Sequence, residues 1–210
     1  MGVIFLVVGI GAYGTWVLWL TTRTLRPVNI PVSMAIGHVR TREFKLNLSA
    51  PYTIQIEVQK TIPFDTLNCL LGMAMPRSSS TALGECPDRP SVVKASWVLT
   101  SDGQTVARGS SDDDRLGGWM NDSISRELGS FQGQRGRGYV LDVSVLADGS
   151  ALDLGKPRLT VDVAATLYEA YAVWGWILFL AMAFLVVIGI TLMIVSWMRS
   201  RGGRSSPTAA

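Results

Sequence analysis

The longest uncharged stretch of the chain constrains its fold most strongly. No charged residue lies between Glu169 and Arg199. An α-helix rises about 1.5 Å per residue, so roughly 20 residues cross the hydrocarbon core of a bilayer. This stretch therefore predicts a transmembrane helix over residues 170–198. Tyr and Trp concentrate at membrane–water interfaces, and those at the ends of this stretch are Tyr171, Trp174, Trp176 and Trp197.

A second apolar run lies near the N-terminus and has no charged residue before Arg23. A cleaved secretory signal is the alternative interpretation, but the basic region and the small-residue cleavage site that such signals carry are not recognisable here. Trp16 and Trp19 near the end of the run are suited to an interface. We therefore expect an uncleaved transmembrane helix over residues 2–21.

The first apolar run contains Gly9-Ile-Gly-Ala-Tyr-Gly14, which matches the dinucleotide-binding pattern G-x-G-x-x-G. That pattern binds a cofactor only where a strand precedes it and an amphipathic helix follows. The residues that follow are almost entirely apolar. We interpret the glycines as sites of close helix packing and expect no cofactor.

The basic residues beyond the second run place its C-terminal end in the cytoplasm, because cytoplasmic flanks are enriched in Lys and Arg. Arg199 and Arg201 belong to a predicted basic tail over residues 199–210. Arg23 and Arg26 favour the cytoplasm for the opposite end of the loop, but the charge rule weakens across long loops. We expect both termini in the cytoplasm and the central domain in the periplasm of a bacterial inner-membrane protein.

The formal net charge of +3 does not indicate nucleic-acid binding. All sixteen acidic residues lie within residues 40–169, together with fourteen Lys and Arg. The central domain is thus slightly acidic, and the excess of basic residues flanks the apolar runs. Nucleic-acid binding needs clustered Lys and Arg on the folded domain. We expect the lipid bilayer as a partner and no nucleic acid.

The central segment alternates apolar and polar residues, the pattern of strands with one buried face. Residues 22–38 contain Pro27, Pro31 and Gly37 and are expected to form an irregular linker. Residues 39–168 are then predicted to fold as the domain. The fold class expected is a membrane-anchored all-β protein, in which two transmembrane helices flank one extracytoplasmic antiparallel β-sandwich. The alternating runs are 44–48, 52–58, 93–99, 139–145 and 159–163.

Cys69 and Cys86 are the only cysteines. In a translocated domain such a pair predicts a disulfide. Closing a loop of this length would stabilise the domain by about 3 kcal/mol if loop entropy dominates. Two buried thiols are the alternative in a reducing compartment.

Two irregular zones are candidate binding surfaces, because long sandwich loops often carry function. One is the excursion 69–86. The other is 109–137, where a short helix is expected from Ser123. The residues in these zones that we expect to contact a partner are Met73, Met75, Arg77, Asp112, Asp113, Asp114, Trp119 and Met120.

We expect no catalytic or metal site. Asp112, Asp113 and Asp114 are consecutive and lack the spacing of a calcium loop. His38 is the single histidine, too few for a zinc site, and is expected at an interface or a strand edge. Met73 and Met75 are a poor set for a soft metal and fit apolar filler or a contact surface better.

The function expected is a non-enzymatic one, in which the tethered sandwich binds another protein on the extracytoplasmic side. Such a protein would be an accessory subunit of an envelope complex or an immunity-type inhibitor of an incoming toxin. One alternative is a glycan- or lipid-sensing sandwich that uses Trp119, while Trp97 is expected in the core. The other is an oligomer driven by the helical hairpin; the sequence leaves the oligomeric state open.

Overall fold

The two apolar stretches form long helices in the computed structural model, which describes residues 2–73, 91–112, 117–119 and 122–202. The chain divides into two units, residues 1–23 with 165–210 and residues 24–164. In the first unit, α1 spans Gly2–Thr21 and α3 spans Ala165–Gly202. Both helices are long and apolar enough to cross a membrane.

Glycines let α1 and α3 pack closely. A Cβ atom built on Gly2 would lie 2.5 Å from the Gly189 carbonyl oxygen, and one on Gly9 would lie 3.3 Å from Leu185 Cβ. By contrast, a Cβ on Gly11 would meet no atom within 4 Å. The helix contact therefore uses one face of α1, as small-residue packing does in membrane helix pairs.

Several of the predicted interface residues lie together in this helical unit. Trp16 and Trp19 stack at 5.1 Å between ring centroids, and Tyr171 packs edge-on against both. The Arg23 guanidinium lies 4.3 Å from the centre of the Trp19 ring. The side chains of Trp174, Trp176 and Trp197 are exposed within the unit. Arg199 lies in the last turns of α3, whereas the side chain of Arg201 is outside the described part.

The central unit consists of two antiparallel sheets, which agrees with the expected sandwich. Sheet A has the strand order β1-β10-β4-β8-β7, and sheet B has the order β2-β9-β5-β6, with the short β3 paired to β9. The strands of sheet A are β1 Val28–Pro31, β4 Ala50–Gln59, β7 Gly117–Trp119, β8 Ser123–Gly133 and β10 Arg158–Val163. Those of sheet B are β2 Gly37–Arg40, β5 Ala95–Ser101, β6 Gln104–Ser110 and β9 Gly138–Val145, and β3 is Phe44–Lys45.

The alternating residues of the predicted strands fill the core between the sheets. On sheet A, Ile54 pairs with Val161, and on sheet B, Trp97 pairs with Val143. All four side chains are buried. Trp97 is thus a core residue, as expected.

The structure differs from the expectations in several places. The helix expected from Ser123 is instead β8, an eleven-residue strand inside sheet A. An unexpected helix, α2, spans Phe64–Leu71 and ends at Gly72, whose positive φ of 67° closes it. The expected linker 22–38 contains β1 and the start of β2, because its apolar residues Val28 and Ile30 pair with β10.

Candidate functional site

The central unit has two distinct ends, and the chain enters and leaves at one of them. The Val163 amide donates to the Leu25 carbonyl oxygen at 2.9 Å, and the Tyr52 hydroxyl donates to the Thr24 carbonyl oxygen at 3.2 Å. We call Thr24–Arg26 and Asp162–Ala164 the stem. β4 runs away from the stem for ten residues, a rise of about 33 Å. We call the opposite end, where β4 leads to α2, the distal end.

The first predicted binding zone and the beginning of the second depart from the distal end, beside a buried arginine. The rest of the second zone follows β8 back to the stem, where Gly133 pairs with Ala50. Arg126 lies on β8 opposite Ile56, and its side chain is only 2% exposed. Its Nη1 donates to the Leu71 carbonyl oxygen and to Ser91 Oγ, the latter at 3.0 Å. Its Nη2 donates to the Ser111 carbonyl oxygen at 2.7 Å. The guanidinium thus contacts Leu71 near the start of the first zone, Ser91 shortly after its end, and Ser111 near the start of the second zone.

Close backbone packing reinforces this convergence. Gly72 approaches Ser91 so closely that an added Cβ would lie 2.4 Å from the Ser91 side chain. An added Cβ on Gly117 would lie 2.1 Å from Met73 Sδ. Met73, near the start of the first zone, thus contacts β7 in the second zone.

The structure places the sequence-predicted binding residues unevenly. Met73 and the exposed Asp112 lie at this junction, and Cys69 lies in α2. Trp119 ends β7, where its backbone pairs with Ile124. The remaining predicted residues lie outside the described part of the chain, so the disulfide stays a prediction; they are Met75, Arg77, Cys86, Asp113, Asp114 and Met120.

Exposed apolar side chains also gather toward the distal end, which the sequence did not reveal. Ile36 is 69% and Leu154 75% exposed, and Leu146 and Phe64 are exposed as well. Large exposed apolar residues that share one end of a domain are typical of interaction surfaces. An open groove of about 510 Å³ lies on the β1 side of this end. Its lining residues are Pro31, Val32, Ser33, Asp153, Lys156, Pro157 and Arg158.

At the stem, one arginine joins two strands. Arg26 Nε lies 2.6 Å from Asp162 Oδ1, and Nη1 lies 3.1 Å from Glu57 Oε2. Burial raises the pKa of Asp162 above its ordinary 3.8, and Arg26 opposes that rise only in part. For Arg26, burial lowers the pKa, but the two carboxylates outweigh it and raise the pKa. The carboxyl group thus loses more by leaving water than it gains from the cation.

A second polar cluster lies on the outer face of sheet B. His38, on the edge strand β2, has Nε2 at 3.1 Å from Asp142 Oδ1 and Nδ1 at 3.4 Å from Ser144 Oγ. These are the residue types of a hydrolytic triad, but in such a triad the Asp contacts Nδ1 and the Ser contacts Nε2. The His38 side chain is also 58% exposed, whereas oxyanion stabilisation needs a site that excludes water. The cluster fastens β2 to β9.

Within the described ranges, no three His, Cys, Asp or Glu side chains gather closely enough to hold a metal ion. The described residues of the distal end present apolar side chains, backbone groups and a few charges. Arg126 was missed in the sequence. The signal for it in the sequence was alternation, since Arg126 lies between the apolar residues Ile124 and Leu128 at a position that should face inward.

Comparison with protein families and with curated proteins finds no match. Among solved structures, the chain is similar to a crystal structure of a protein from Sulfurospirillum deleyianum. The identity is 14% and the TM-score 0.46, over 66% of this chain and 97% of that chain. A likeness at this level identifies neither a family nor a function.

Proposed function

We propose that the protein is anchored in a membrane by α1 and α3 and binds another protein through the distal end of its central domain. The contacts of Arg126 with Leu71, Ser91 and Ser111, which lie beside the two predicted zones, are the observation that carries this proposal. It brings the start of the first zone and the start of the second together at one end of the domain. The exposed side chains of Leu154 and Ile36 add apolar area to that end.

Anchoring supports this function because a tether raises the effective concentration of the domain near partners in the same membrane. The two apolar helices and the basic residues at the C-terminal end of α3 favour cytoplasmic termini and a periplasmic domain. In that topology the partner is either a component of an envelope complex or a toxin that arrives from outside. Both partners would meet the same surface.

Site-specific photocrosslinking in native membranes tests this proposal. A photoreactive residue would be placed at Leu154, at Phe64 and, as a control near the stem, at the exposed Lys45. We expect the two distal positions to capture one and the same protein, identified by mass spectrometry, and Lys45 not to capture it. Capture from Lys45 alone, or adducts of the chain with itself only, would contradict the proposal.

The glycan-sensing alternative makes a different prediction for the same surface. Trp119→Ala would abolish binding of the domain to glycans while photocrosslinking to protein stays unchanged. If proteins are captured equally well before and after this substitution and no glycan binds, the glycan alternative is excluded.

A further inference from the structure

We infer that Arg126 is a positioning residue that couples residues 66–73, at the start of the first zone, to residues 108–112, at the start of the second, so that the order of one segment depends on the other. This inference deepens the proposed function, since it concerns the same distal end. Its test needs no partner, however, and its failure is therefore distinguishable from a failure of the proposed function.

The hydrogen bonds of Arg126 join segments that are remote in sequence. Leu71 ends α2, Ser91 begins the return to β5, and Ser111 follows β6. A guanidinium offers five N–H donors in a fixed planar fork, so it can hold several acceptors at once in a defined arrangement. A lysine ammonium is a point charge on a flexible stem and cannot reproduce that arrangement.

Burial makes the acceptors depend on the arginine. Leu71 and Ser111 are fully buried, so their carbonyl groups cannot easily turn to water if the guanidinium is lost. Ser111 is further tied to β5, because its Oγ accepts from the Ala95 amide at 3.0 Å and donates to the Val93 carbonyl oxygen at 3.1 Å. A change at either zone is thereby passed to the other through one side chain.

Ser91 offers a mild way to test this coupling. Its hydroxyl accepts from Arg126 and donates to the Leu71 carbonyl oxygen at 3.3 Å. Ser91→Ala removes one of the acceptors but leaves the buried cation and the core in place. If Arg126 couples the zones, this substitution on one side will loosen the other side.

Hydrogen exchange of the full chain in detergent micelles, followed by mass spectrometry, measures the effect. In Ser91→Ala we expect amides of residues 66–73 and of residues 108–112 to exchange severalfold faster, with β4 and β9 unchanged. Ser130→Ala, on the exposed outer face of β8, is the matched control and should change neither segment. Faster exchange in residues 66–73 alone would overturn the inference.

Substitutions of Arg126 itself provide the second arm. Arg126→Met should accelerate hydrogen exchange in residues 66–73 and 108–112 about tenfold or more. Arg126→Lys should exchange as fast, because a positive charge alone does not bridge the acceptors. Full restoration by lysine would overturn the inference, since it would show a purely electrostatic role. Should Arg126→Met fail to fold, the lysine and Ser91 variants still decide the outcome.

Discussion

Trp97→Phe should destabilise the central domain, because it removes a buried hydrogen bond and leaves a cavity. The Trp97 side chain is buried, and its Nε1 donates to the Leu128 carbonyl oxygen at 2.8 Å. The ring lies against two glycines, since an added Cβ would approach it to 2.8 Å from Gly109 and 2.5 Å from Gly129. Leu128 is itself buried, so its carbonyl group would lose its partner in the variant.

Two contributions set the expected loss in the free energy of unfolding. An unsatisfied buried carbonyl group costs about 1–3 kcal/mol. Replacing the indole by the smaller ring leaves roughly 40 Å³ empty, which adds about 1 kcal/mol. We therefore expect Trp97→Phe to lower the free energy of unfolding by about 2–4 kcal/mol. Urea unfolding monitored by far-UV circular dichroism of the full chain in detergent measures it.

A double-mutant cycle with Gly109→Ala tests the reasoning. In the natural chain, the added methyl group would collide with the indole and should cost about 1–3 kcal/mol. In the Trp97→Phe background the methyl group enters the vacated space, so its cost should fall by about 1–2 kcal/mol. Equal costs of Gly109→Ala in both backgrounds would refute the packing of Trp97 between the two glycines.

Three further predictions concern the stem, the helices and the cysteines. Arg26→Gln removes the cation that holds down the pKa of Asp162, so that pKa should rise further. A raised carboxyl pKa favours the folded state only at low pH, and this benefit is lost as the pH rises through the folded pKa. In urea unfolding, the free energy of unfolding of the variant should therefore be lower by about 1 kcal/mol at pH 7 and by less at pH 4. An equal loss of stability at the two pH values would contradict this. Gly189→Leu should separate α1 from α3 while Gly11→Leu should not, as measured by energy transfer between labels on the two helices. If the disulfide forms, Cys69→Ser should lower the free energy of unfolding by about 2–4 kcal/mol in oxidised protein and leave it unchanged after reduction.

Alternation predicted the strands whose inner faces are wholly apolar. Residues 52–58 and 139–145 lie within β4 and β9 because each second residue is buried between the sheets. β8 escaped prediction since Arg126 occupies an inward position and the pairing with β4 shifts near Gly129. β6 escaped because it is the edge of sheet B, where most of its side chains remain exposed and no alternation is needed.

The candidate site could be predicted only in part, for a related reason. Loop length and composition pointed to residues 69–86 and 109–137. What joins them is a set of hydrogen bonds from Arg126 to Leu71, Ser91 and Ser111. Contacts between residues so far apart in sequence leave no local pattern, so the convergence of the two zones is visible only in the folded chain.

The stem has a thermodynamic consequence for the two helices. α1 ends at Thr21 and α3 begins at Ala165, yet Leu25 and Val163 are hydrogen-bonded neighbours. In the folded domain, about half a dozen residues connect the two helices instead of about 140. The entropic cost of bringing the helices together therefore falls by about 3 kcal/mol. Folding of the domain and pairing of the helices are therefore thermodynamically coupled through these two short connections.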